Sequence, residues 1–178
     1  MKPLVILPCV IAILFSVDVA TADGPAVTQD EVLAMMARVP GKNAPGAKPY
    51  AWDRRKHAPK IAAAIAQTAP TREWARRMVV YAVRESGLEP CAVGDGGKAL
   101  GVWQLQGVGR TVACEPIRAL PIWLRKAQRS IEDCAKLKLP EDEQLAELLS
   151  GSCGLARKLS ADREKLAREI EEPAAGVE

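Results

Sequence analysis

The chain has one histidine, His57, in 178 residues, and that scarcity removes several kinds of chemistry. A Ser-His-Asp or Cys-His nucleophile needs a histidine base held by a third group, and nothing around His57 supplies that arrangement. Its simplest role is a solvated residue at a helix start. Cysteine pairs at C-x-x-C spacing are also missing, and His57 lies far from every cysteine in sequence, so no zinc site is expected. Strong charge of one sign is absent: the formal net charge is +3, scattered along the chain, which argues against nucleic acid as a partner. There is no internal repeat and no low-complexity domain. The apolar run from Leu4 to Val17 is shorter than the roughly 20 residues a spanning helix prefers.

That run is informative in another way. Lys2 precedes it and Ala20-Thr21-Ala22 follows it, the charged start, apolar centre and A-x-A site of a secretory signal peptide over residues 1–22. Cys9 does not read as a lipidation site, because Pro8 stands before it and the apolar stretch ahead of it is too short. Removing the first 22 of 178 residues leaves 156, enough for one domain with a sizeable core, assigned to residues 23–172 with a disordered tail at 173–178. Lys2 and Asp18 leave together, so the net charge stays +3. Export without stable membrane insertion is the expectation. Four cysteines then remain, Cys91, Cys114, Cys134 and Cys153, and an even count in an exported chain suggests two disulfides. Three pairings are open; the one favoured joins Cys91 to Cys114 around the glycine-rich segment and Cys134 to Cys153 between two late helices.

Helical signals dominate. Thr28 to Val39 has Val32, Met35, Met36 and Val39 on one side, and Ala58 to Thr68 has Ile61 and Ile65 inward. Between them Pro40, Gly41, Pro45, Gly46 and Pro49 predict a long loop, whose Tyr50 and Trp52 either stack on a ligand or anchor the loop. Pro121 is read as the first position of a helix with Trp123, Ala127, Ile131 and Cys134 on one face. Pro140 to Glu143 starts a short helix. Leu155, Leu159, Leu166 and Ile170 are expected to line a last one, which carries a Glu164–Arg168 pair.

The segment richest in chemistry starts at Thr71. Pro70 precedes it, Thr71 is a candidate N-cap, Glu73 sits in the first turn and Gly87 is a stop, which predicts an amphipathic helix ending at Ser86. Its apolar stripe runs Trp74, Met78, Tyr81 or Ala82, and the next step is Glu85. Burial and the negative end of the helix dipole both disfavour a charged carboxylate there. A carboxylic acid kept protonated is what glycosidic cleavage needs, because the leaving oxygen departs poorly until it receives a proton. The plainer alternative is a helix-end Glu paired with Arg84, Arg76 or Arg110.

Glu85-Ser86-Gly87 is followed by Gly94-Asp95-Gly96-Gly97 and by Leu100-Gly101-Val102-Trp103-Gln104-Leu105. In this combination the chain resembles the lysozyme-like superfamily that cleaves bacterial peptidoglycan, and most of all its soluble lytic transglycosylases. It is also similar to goose-type lysozymes in Gly94-Asp95-x-Gly97. The resemblance covers Glu85 to Gln106, with the remainder matched only in helical character and in the Gly-x-Cys element at Gly151. It implies a mainly α lysozyme-like domain in which a small β-hairpin or turn forms one wall of the cleft, acting as a monomer on peptidoglycan glycan strands without cofactor or metal.

By resemblance, Glu85 is the catalytic acid and then base, Ser86 positions a substrate acetamido group or orients Glu85, and Gln104 hydrogen-bonds the sugar; Trp103, where a Met is common, is either a core plug, the favoured reading, or part of the cleft floor. The alternative for Ser86 is a hydroxyl returning a hydrogen bond to the helix end, and for Gln104 a surface amide. Asp95 is read as capping the glycine turn through backbone amides. Its alternative is the base that activates water about 6.5–9.5 Å from the acid in an inverting hydrolase. The transglycosylase reading therefore leads, the goose-like hydrolase follows, and a wall-binding protein without activity stands as the rival from another class. A mildly basic surface suits an anionic wall as well as it suits ordinary solubility. One departure bears on the choice: where many transglycosylases carry Ala-Tyr-Asn-x-Gly late in the domain, this chain reads Glu147-Leu148-Leu149-Ser150-Gly151, so a hydroxyl is missing if Leu149 takes the Tyr place.

Overall fold

The computed structural model describes residues 26–40 and 54–170, so the signal segment 1–22, Tyr50, Trp52 and the tail 173–178 lie outside the described residues. The fold is mainly α-helical with one small antiparallel sheet. Its helices are α1 (Gln29–Arg38), α2 (Arg54–Thr68), α3 (Arg72–Ser86), α4 (Arg110–Ala113), α5 (Pro116–Lys136), α6 (Ala146–Ser150) and α7 (Arg157–Glu169). Its strands are β1 (Val93–Gly94), β2 (Ala99–Leu100) and β3 (Leu105–Gln106), in the order β1-β2-β3. No helix among the described residues is long and apolar enough to cross a membrane.

Helix α3 is the axis of the core. Thr71 caps its start, accepting from Trp74 N at 3.3 Å, and Gly87 ends it in the left-handed conformation (φ 65°) that glycine adopts without strain. Every position from Ala75 to Val83 is buried, so α3 is enclosed on all sides and not the amphipathic surface helix that the Trp74–Met78–Tyr81 stripe predicts. The reason is that α1, α2 and α7 all pack on it, and α5 adds Trp123, whose ring meets Trp74 at 6.4 Å and Tyr81 at 5.3 Å in edge contacts. Such burial, at about 25 cal/mol for each Å² of apolar surface, is the main force holding the elements together.

Local signals fix α1, where Thr28 and Glu31 form a reciprocal capping box and Val32, Met35 and Met36 turn inward. Helix α2 starts at Arg54, four residues before the expected Ala58. Pro59, the sixth residue of α2, lies inside the helix and costs it one backbone bond without ending it. The same effect moves α5. Pro116 is its first residue and Pro121 lies inside it, so the predicted start at Pro121 is corrected by more than a turn; Trp123, Ala127 and Cys134 are buried as expected.

The last helix departs furthest. Leu155 and Leu159 are exposed, at 62% and 42%, and the inward face is Ser160, Arg163, Glu164, Ala167 and Ile170. Ala156 takes a left-handed conformation (φ 53°) that breaks the helical phase after Leu155, and the face of α3 that receives α7 is charged. Glu164 accordingly accepts from Arg77 Nε of α3 at 2.7 Å instead of forming the predicted pair with Arg168. Pro140 leads into a single 3-10 turn, Glu141–Glu143, ahead of α6.

Both favoured disulfides are present. Cys91–Cys114 ties the segment before β1 to the end of α4, and Cys134–Cys153 ties α5 to the chain after α6. The sheet pairs Val93 with Leu100, Gly94 with Ala99, Ala99 with Gln106 and Leu100 with Leu105. Gly101 is required where β2 turns: its φ is 79°, and a Cβ there would stand 2.0 Å from the Ala113 carbonyl oxygen.

Candidate active site

Four parts of the chain converge on one open cavity of about 420 Å³. Helix α3 contributes Tyr81 and Glu85, the sheet region Asp95 and Trp103 to Gln106, α5 Trp123, Lys126, Arg129 and Ser130, and α6 Glu147, Leu148 and Leu149. Three of the residues singled out in the sequence, Glu85, Asp95 and Gln104, therefore line the same cavity although α3 and the sheet lie in different elements. The sheet forms one of its walls.

Glu85 stands in the last turn of α3, its side chain 18% exposed, and Arg163 Nη1 donates to its Oε1. The partner is thus none of Arg84, Arg76 and Arg110. Arg163 comes from α7, 78 residues along the chain, and its side chain is 6% exposed. Its guanidinium lies over the Tyr81 ring, 4.9 Å from the centroid. Tyr81 is one helical turn before Glu85, and burial pushes its phenol above the ordinary range. The Tyr81 hydroxyl comes near Ser160 without a hydrogen bond of good geometry, while Ser160 Oγ donates to Asp142 O at 2.8 Å.

Ser86 takes the plainer of its two roles. Its hydroxyl donates to Ala82 O at 3.0 Å and accepts from Leu88 N at 3.1 Å, closing the helix end, and it is not among the cavity-lining residues. Asp95 does not cap the glycine turn with its carboxylate as expected. The turn closes through its carbonyl, which accepts from Lys98 N at 3.3 Å, while Oδ2 accepts from Gln106 Nε2 at 3.1 Å. The carboxylate is thereby held over β3 and toward the cavity.

Gln104 faces the cavity, and its amide nitrogen is committed to the backbone, donating to Gly101 O at 2.9 Å and more weakly to Ala92 O at 3.4 Å. Its Oε1 fills the space beside Gly94, where a Cβ would come within 2.1 Å. Trp103 is 3% exposed with Nε1 donating to Met78 O at 3.0 Å, so it anchors the sheet to α3. Asp95 and Gln104 both have φ of 48°, a left-handed conformation that costs non-glycine residues roughly 1–3 kcal/mol and clusters at functional sites.

Several lining residues escaped the sequence reading. Lys126 and Arg129 bring positive charge from α5, with Lys126 Nζ donating to Gln106 O at 2.8 Å. Glu147 adds a third carboxylate, and Leu149 lines the same cavity. The α5 pair Lys126 and Arg129 has a signal in hindsight: the two are three residues apart, so they are neighbours on the helix surface, and Lys126 lies one turn after Trp123. Cys134, Glu147 and Cys153 gather three ligand-type groups, but both sulfurs are in a disulfide and supply no thiolate to a metal. Comparison with family models, with curated proteins and with solved structures finds no match to this chain.

Proposed function

We propose that this chain is an exported, lysozyme-like peptidoglycan lytic transglycosylase that cleaves the MurNAc–GlcNAc β-1,4 bond. The observation that supports this reading most is the convergence of Glu85, from the end of the buried helix, with Asp95 and Gln104, from the glycine-rich sheet, on one cavity. Glu85 gives its proton to the glycosidic oxygen as the bond to C1 breaks, and its carboxylate then takes the proton of the C6 hydroxyl, whose oxygen closes on C1 as a 1,6-anhydro ring. The proton count is restored at Glu85 and no water is consumed. The Gln104 amide oxygen, the nitrogen being taken by backbone carbonyls, accepts from a sugar hydroxyl.

A second reading has its own support. Asp95 lines the cavity with a carboxylate that is not committed to backbone capping, as a goose-like hydrolase would require of a base for water. End-group chemistry separates the two. Purified sacculi digested with the wild-type protein should yield 1,6-anhydro ends by mass spectrometry, and Asp95→Asn should keep much of the activity because its amide oxygen still accepts from Gln106. Ends that borohydride reduces, together with an inactive Asp95→Asn protein, would move the assignment to the hydrolase. No cleavage by wild type over a wide pH range would favour a wall-binding protein.

A further inference from the structure

The α3–α7 contact holds an arrangement that the cleavage scheme does not use. Glu85 has one hydrogen-bonding partner among the described residues, Arg163, and it engages Oε1 alone. Oε2 receives no hydrogen bond from the described residues and belongs to a side chain on the cavity wall. Arg163 cannot easily swing away: its side chain is 6% exposed and its guanidinium rests on the buried Tyr81 ring. The next residue, Glu164, is bound to Arg77, so α7 is clamped to α3 at two consecutive positions and its register is fixed.

We propose that Arg163 is the positioning residue for the Glu85 proton: by engaging Oε1 it confines the transferable proton to Oε2. This rests on the assignment of Glu85 as general acid. A guanidinium has five donors and no acceptor, so a proton on Oε1 would face another donor and that tautomer is disfavoured. When the proton passes from Oε2 to the glycosidic oxygen, the carboxylate left behind keeps the charge-assisted bond to Arg163, and that bond strengthens as negative charge develops. When the carboxylate later takes the proton of the sugar hydroxyl, Oε2 is again the accepting atom.

Other charges act on the same carboxylate. Asp95 from the sheet, Lys126 and Arg129 from α5 and Glu147 from α6 face the cavity with it. Behind it stand Glu164 with Arg77 and Glu73. The remaining elements packed on α3 bring Glu31 to Arg72 at the opposite end and His57 to Glu89 beyond Gly87. Of all these, Arg163 alone bonds Glu85 directly.

The test is steady-state cleavage of solubilised peptidoglycan by Arg163→Met and Arg163→Lys, with rates normalised to folded protein, beside a measurement of glycan-strand binding. Arg163→Met should lose about 10–100-fold in kcat with KM within about twofold, as expected when a reacting group is misplaced and its developing charge unsupported. Its binding of glycan strands should match wild type, because Arg163 is not among the residues that line the cavity. Arg163→Lys keeps a buried donor and charge for Oε1 and should recover only part of the lost kcat; it also serves if Arg163→Met does not fold. An Arg163→Met or Arg163→Lys protein with wild-type kcat per folded molecule overturns the positioning role. So does a loss of glycan binding in Arg163→Met that accounts for the whole loss of rate, which would leave Arg163 a purely structural residue. Absence of cleavage by wild type, or full activity in Glu85→Gln, overturns the function assignment and this proposal with it.

Discussion

Two Glu–Arg pairs on the same helix have the same chemistry and opposite physics. At the start of α3, Arg72 Nη1 meets Glu31 Oε1 at 2.5 Å, with both side chains about half exposed (46% and 40%). In its middle, Arg77 Nε meets Glu164 Oε2 at 2.7 Å, with side chains 11% and 4% exposed. The Thr28 amide, followed by Arg72 and the Thr28 hydroxyl, lowers the Glu31 carboxyl to about 2. Burial raises the Glu164 carboxyl above its ordinary value even though Arg77 pulls the other way. Its Oε1 is buried without a hydrogen bond. The exposed pair therefore assists local structure at little cost, while the buried one is a desolvation burden that the fold tolerates because it fixes α7 against α3. What that fixation delivers is Arg163, one residue before Glu164, at the Glu85 carboxylate.

The buried pair gives the larger effect when broken. Glu164→Ala leaves Arg77 with only the more exposed Glu73, and removal of one partner of a buried pair typically costs about 3–5 kcal/mol, to be read as a lower midpoint in urea unfolding. The double variant Arg77→Met with Glu164→Leu removes the burden as well as the pair and should recover most of that loss. A Glu164→Ala protein as stable as wild type would show that burial, and not pairing, governs this contact.

The exposed pair should give the smaller effect, and one that depends on pH. Because the Glu31 carboxyl is lowered from 4.5 to about 2, its contribution is present above pH 4.5 and is lost as pH falls toward 2. The melting temperatures of wild type and Glu31→Gln should differ at pH 7 and converge across that window. Glu164 has the reverse sign: its raised value makes the fold less stable as pH climbs above 4.5, so part of the acid loss from Glu31 is offset. A Glu31→Gln difference independent of pH would contradict the capping box as its source.

What the sequence made legible follows the same division between local and distant. Thr71, Gly87 and the Thr28–Glu31 box are neighbours in the chain, and the caps they predict are the caps that form. The glycine turns forced a small sheet, and the cysteine spacing favoured the two bridges that are present. Glu85, Asp95 and Gln104 were found from their motif and do line one cavity. Arg163 is not legible, because its partner is 78 residues away and the series Leu155, Leu159, Leu166 and Ile170 holds only at the end of α7, where Leu166 packs on the core and Ile170 is buried. Leu155 and Leu159 attracted that reading by hydrophobicity alone. The signal for the true face was the small and ionic series Ser160, Arg163, Glu164, Ala167, which has meaning only once α3 presents Arg77 and Glu85 to it. Ser86 shows the converse, since its position beside the acid suggested a substrate contact while its hydroxyl closes the helix.

The central claim is that Glu85 carries the proton, and one variant tests it most directly. Glu85→Gln keeps the size of the side chain and an acceptor for Arg163 but has no carboxyl proton to give. Its folding and its binding to purified glycan strands should match wild type while turnover falls by about 10²–10⁴-fold, the usual contribution of a general acid–base group. Cleavage by Glu85→Gln at close to the wild-type rate would contradict the account.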